Sequence, residues 1–98
     1  MDAKKVRSVI QIYRLQLWNM GIPEKKIPPQ ISIGFVRAFF FQGWILGHVH
    51  AMLDEMEGFI RENRMDKTFR WLGFIQGTLW VSGVFTLEEL KTHNRRDS

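Results

Sequence analysis

The chain contains no cysteine, and its three prolines, Pro23, Pro28 and Pro29, all fall within one short segment. Without thiols there is no disulfide framework, no thiolate zinc site and no cysteine nucleophile, and nothing marks an oxidising compartment. A glycine-rich phosphate loop, a nucleophile elbow and a zincin motif are missing too, so catalysis has little support and no cofactor is expected. Early positive charge at Lys4, Lys5 and Arg7 is followed by Gln11, Arg14 and Gln16 rather than by an apolar core, so no secretory signal is expected.

What is present fits one domain over residues 1–98, because a chain of this length supports a single core. Hydrophobic residues make up 45% and include eight Phe and four Trp, enough buried area to offset chain entropy and exclude disorder. The net charge of +4 is concentrated in residues 1–30, which hold six basic and two acidic groups. Such a bias suits an acidic partner, nucleic acid or anionic lipid, and equally a solvated helix face.

From Ala3 to Met20, apolar residues recur at Val6, Val9, Ile10, Tyr13 and Leu17, the three-and-four spacing of one helix face, and Gly21 stands where a left-handed cap would end it. Ile12 and Leu15 widen the apolar side beyond one packing partner. The proline segment, 22–30, cannot continue a helix and forms a connector. A second helix is expected from near Ser32 to about Asn63, roughly 45 Å long, with Gly43 or Gly47 as places for a kink. Asp66 is suited to cap a third helix from Lys67 to Ser82, with Gly83 as its stop. The Thr86–Glu89 spacing is that of a capping box opening a short fourth helix, and the last residues, Asn94–Ser98, are expected to fray. No stretch alternates convincingly enough for a strand. The expected fold class is all-α, a small helical bundle of three main helices plus a short C-terminal one.

The most apolar runs, Ile33–Val49 and Leu72–Phe85, are shorter than the roughly 20 residues a membrane span needs, and Arg37, Gln42 and Gln76 interrupt them. Each contains glycines four apart, Gly43 with Gly47 and Gly73 with Gly77, a bare ridge that lets another helix or a ligand approach the backbone. Arg70 lies one turn before Gly73 and Trp80 three residues after Gly77, so a guanidinium and an indole flank the second ridge, an arrangement able to hold an anion beside a flat ring.

The histidines offer little for a metal. His48 and His50 diverge by about 200° on a helix, whereas His50 and Asp54, four apart, could share a surface hydrogen bond, half a metal site or an acid–base pair. His93 sits where a cation complements a helix C-terminus. Asp54, Glu55, Glu57 and Glu62, bracketed by Arg61 and Arg64, read as a solvated face with ordinary ion pairs rather than as paired catalytic carboxylates.

The segment 48–52 (HVHAM), Lys67, the run Arg70–Trp80 (RWLGFIQGTLW), Thr86–Leu90 (TLEEL), Asn94 and Arg95 together resemble a group of small tailed-bacteriophage proteins. The match covers roughly the C-terminal half, with Ala51 where those proteins tend to carry an aromatic. The resemblance implies a viral accessory protein made in a bacterial cytoplasm and brings with it no activity and no functional residues.

The resulting expectation is a self-associating, non-enzymatic binding protein that sequesters a host protein or a small anionic, nucleotide-like signal through Arg70, Gly73, Gln76, Gly77 and Trp80. The alternative is a nucleic-acid-binding accessory protein that uses Lys4, Lys5, Arg7 and Arg14. Neither a metal nor a membrane is expected as a partner.

Overall fold

The computed structural model describes residues 1–31 and 42–95. Four α-helices follow in order: α1 (Ala3–Asn19), α2 (Gln42–Arg61), α3 (Met65–Val81) and α4 (Leu87–Asn94). No strand occurs among the described residues, and the fold class is all-α. The expected start of the second helix near Ser32, and Arg37 with it, lie outside the described residues. From Gln42 onward α2 passes through Gly43 and Gly47 as one helix.

Three of the helix ends share one device. After α1, the Gly21 N–H donates to the Trp18 carbonyl and the Ile22 N–H to the Leu17 carbonyl at 2.9 Å, with Gly21 in the left-handed region at φ +73°. The same pair of bonds closes α3, from Gly83 (φ +76°) and Val84 to Trp80 and Leu79. These six-to-one and five-to-two bonds satisfy the last helical carbonyls. At the end of α2 the left-handed position belongs to Asn63 (φ 58°), with Asn63 N–H donating to Ile60 and Arg64 N–H to Phe59. Because the chain reverses at Asn63, α3 begins at Met65, two residues earlier than expected. Its N-cap is Arg64, which makes no side-chain cap bond, and Asp66 sits in the first turn rather than at the cap. The capping box of α4 forms as expected: Thr86 Oγ1 accepts from the Glu89 N–H at 3.1 Å, and Glu89 Oε1 accepts from the Thr86 N–H at 3.0 Å.

One core joins all four helices. Val6, Val9, Ile10, Tyr13 and Leu17 of α1 meet Leu46, Val49, Leu53, Met56 and Ile60 of α2, while Leu72, Ile75 and Leu79 of α3 and Leu90 of α4 complete it. α2 packs against both α1 and α3, and α4 lies against α1 and α3. The acidic residues of α2 are paired across elements, Asp54 with Arg14 at 2.7 Å, Glu57 with Arg7 at 3.7 Å and Glu55 with Lys26. Just past the end of α2, Glu62 pairs with its neighbour Arg64 at 3.5 Å.

The connector folds back along α2. Lys25 N–H donates to the Gly47 carbonyl at 3.0 Å, Ile27 N–H donates to His48 Nδ1 at 3.0 Å, and His50 Nδ1 lies 2.8 Å from the Ile22 carbonyl, to which it must donate. A Cβ at Gly47 would come within 3.1 Å of the Pro23 carbonyl, so this glycine admits the connector rather than a helix. His50 is fully buried with Trp18 edge-on to its ring at 4.9 Å, and Asp54 belongs to Arg14, so the expected surface bond between His50 and Asp54 is not the one that forms. The reason is the folding back of residues 22–27, which puts a backbone carbonyl where solvent was expected.

Candidate functional site

α3 presents two opposite faces. Thr68, Leu72, Ile75 and Leu79 are buried, which leaves the far side of the helix, where Arg70, Gly73, Gly77 and Trp80 fall within an arc of about 80°, open to solvent. A Cβ built at Gly73 or Gly77 would meet nothing within 4 Å, and the same holds for Gly43. Helix packing among the described residues therefore does not explain these glycines. The residues beside them are apolar and uncovered: Phe69 is 39% exposed, Phe74 57%, Trp80 52% and Val81 79%.

Depressions at the two ends of this face divide the expected site residues. Gln76, Gly77 and Trp80 line a groove of about 190 Å³, closed on its other side by Leu87, Leu90, Lys91 and Asn94 around α4. Arg70 instead borders an open depression of about 440 Å³ at the N-terminal end of α3, with Asn63, Arg64, Met65, Asp66 and Lys67. There the first N–H groups of the helix have no intrahelical partner, and the helix dipole adds positive potential. Lys67 Nζ stands 4.5 Å over the Phe59 ring and 5.7 Å from that of Trp71, and Arg64 lies 5.3 Å over Phe59.

Gln76 is committed to holding α4 in place. Its Nε2 donates to Asn94 Oδ1 at 2.6 Å and to the Tyr13 hydroxyl at 2.9 Å, and its Oε1 accepts from Asn94 Nδ2 at 3.0 Å. With that oxygen accepting from Gln76, Tyr13 directs its own proton to His93 Nδ1, 3.1 Å away. Burial pushes the Tyr13 hydroxyl up to about 12 despite the opposing bond from Gln76, and burial also lowers His93 below the usual histidine range, against the pull of Glu89. Phe85 completes the cluster, its ring edge-on to His93 at 4.9 Å and tilted against Tyr13 at 5.4 Å. His93 therefore serves as a neutral acceptor set among a hydroxyl and two rings, rather than as the cation expected at the helix end. Asn94, far from fraying, closes α4; residues 96–98 lie outside the described residues.

The basic stripe of α1 is not gathered into one patch. Arg7 and Arg14 face α2 and are held by Glu57 and Asp54, Lys5 is half-buried, and Lys4 is exposed. Among the described residues no group of three or more His, Asp or Glu side chains could hold a metal, and no helix is long and apolar enough to cross a membrane.

Phe69, Phe74 and Val81 were not singled out from the sequence. The signal was their angle: each lies within about 60° of one of the two glycines, Phe69 beside Gly73 and Phe74 and Val81 beside Gly77. No protein-family model, no curated protein and no solved structure matches the chain.

Proposed function

We propose that this protein is a non-enzymatic binding protein of the phage-accessory type, acting in the cytoplasm of a bacterial host, and that the outer face of α3 is its contact surface for a protein partner. The carrying observation is the open strip at Gly73 and Gly77. Each glycine in a helix interior costs about 1 kcal/mol relative to alanine, and no contact among the described residues offsets it. A backbone lying across the strip would. Exposed aromatics with an arginine beside them have the composition of an interface core. The groove at Trp80, about 190 Å³, is smaller than the roughly 300–1,000 Å³ of pockets that enclose small ligands.

A small anion has one specific observation in its favour, the gathering of Arg64, Lys67 and Arg70 around the N-terminus of α3. Nucleic acid has less, since carboxylates of α2 neutralise two of the four basic residues it would use.

A photo-crosslinking amino acid at Phe74, compared with one at Ile12 on α1, tests the proposal in bacterial extract. Protein adducts from position 74, weak at position 12 and lost when Gly77→Leu is added, are expected. A nucleotide that raises the melting temperature of the wild type but not of Arg70→Ala would transfer the function to the anion site, and adducts indifferent to Gly77→Leu would remove α3 from the account.

A further inference from the structure

Three features follow one another along the outer face of α3: Phe69, 39% exposed, the bare stretch at Gly73 and Gly77, and the groove beside Trp80 that Leu87 and Leu90 wall off. Phe69 and Trp80 are eleven residues apart, about 16 Å along the axis, and within about 20° of each other around it. Knob and groove therefore lie on the same flank of the helix, one on each side of a bare crossing point. That arrangement is self-complementary. A two-fold axis perpendicular to two antiparallel α3 helices, passing through the Gly73–Gly77 interval, carries each knob onto the other copy's groove in a single operation. A groove of about 190 Å³ suits a phenyl ring, since a cavity near 150 Å³ accepts benzene.

The helix dipoles agree with the antiparallel sense. Antiparallel pairing sets the N-terminal end of α3 in one copy, where Arg64, Lys67 and Arg70 gather, against the C-terminal end of α3 in the other, whereas parallel pairing sets like ends together. Area agrees as well. The exposed fractions of Phe69, Phe74 and Trp80 leave on the order of 300 Å² of ring uncovered per copy. Val81, Leu87, Arg70 and the glycine backbone extend the patch toward the roughly 800 Å² per partner that a specific interface buries.

We infer that the partner of α3 is a second copy of this chain, paired two-fold and antiparallel, with Phe69 of each copy seated in the groove beside Trp80 of the other. This rests on the outer face of α3 being the contact surface, as proposed above.

Sedimentation velocity of the purified chain and of Gly77→Leu and Phe69→Ala provides the test. The wild type is expected to be a dimer at micromolar concentration. Phe69→Ala should weaken it by about 30-fold, the effect of losing an interface anchor, and Gly77→Leu should leave a monomer. Gly77→Leu should still fold, because a Cβ there meets nothing within 4 Å in its own chain. Since the protein has no cysteine of its own, oxidising a mixture of Gly73→Cys and Gly77→Cys chains reads the direction of pairing. Mixed 73–77 crosslinks are expected, and a predominance of 73–73 and 77–77 crosslinks would overturn the antiparallel arrangement. A wild type that stays monomeric at high micromolar concentration, or a dimer indifferent to Gly77→Leu, would overturn the pairing altogether. If the monomer still gives crosslinks to another protein from position 74, only self-association fails; if it gives none, the contact surface fails with it.

Discussion

Gln76 and Asn94, eighteen positions apart, exchange both hydrogen bonds of their side-chain amides, at 2.6 and 3.0 Å. The pair fixes α4 to α3 with two bonds, and the remaining amide hydrogen of Gln76 reaches Tyr13 on α1. One glutamine thus ties three helices together.

Asn94→Ala should cost about 1–2 kcal/mol, the loss of two partly exposed bonds with some relief from water. Gln76→Leu should cost more, because it also leaves the Tyr13 hydroxyl without its donor. Thermal melts measure both, and a Gln76→Leu variant as stable as Asn94→Ala would show that Tyr13 does not depend on Gln76.

Acid should loosen the same corner. His93 is held below its ordinary value of 6.5, mainly by burial, so its neutral form favours folding; that contribution is complete above about pH 6.5 and fades as the pH falls through the lowered value. Glu89 is lowered by its bonds to Thr86, so its contribution is present above its ordinary 4.5 and fades below. Melting temperatures should fall in two stages between neutral pH and pH 3, and His93→Gln should remove the upper stage alone.

Gly73 and Gly47 should respond oppositely to alanine. In the separated chain Gly73→Ala adds a methyl group to open space and improves helix propensity, so below the concentration of dimerisation a gain of about 1 kcal/mol is expected. Gly47→Ala places a Cβ 3.1 Å from the Pro23 carbonyl and must move the connector, so it should destabilise despite the same propensity gain. Urea titrations of the two variants compare them directly; a stabilised Gly47→Ala would mean that the connector yields without cost.

At Asn63 the left-handed backbone is the controlling feature. Asn63→Gly should stabilise by a few tenths to about 1 kcal/mol, whereas Asn63→Val, β-branched at φ 58°, should lose more than 1 kcal/mol. The difference between their denaturation midpoints is the measurement.

What the sequence made legible follows from local rules. The face of α1, the ends at Gly21 and Gly83 and the capping box at Thr86–Glu89 depend on residues within one or two turns of each other. The start of α3 was misplaced because Asn63 does glycine's work without glycine's signature. The surroundings of His50 and Gly47 depend on a connector returning from more than twenty residues away, and nothing local encodes its path. For the candidate site, spacing put Gly73, Gly77 and Trp80 on one face. It could not show that Arg70 belongs to a different depression, or that Gln76 is occupied by α4.

α4 has eight residues and one buried side chain, Leu90, so it is too short to persist as a helix away from its neighbours. Its amides should exchange with solvent through a local opening far cheaper than global unfolding. Each such opening also removes Leu87 and Leu90, one wall of the groove at Trp80. The groove therefore exists for only the fraction of time that α4 is seated. A partner filling it from the α3 side holds that wall in place, and would slow deuterium uptake at α4 amides it never touches.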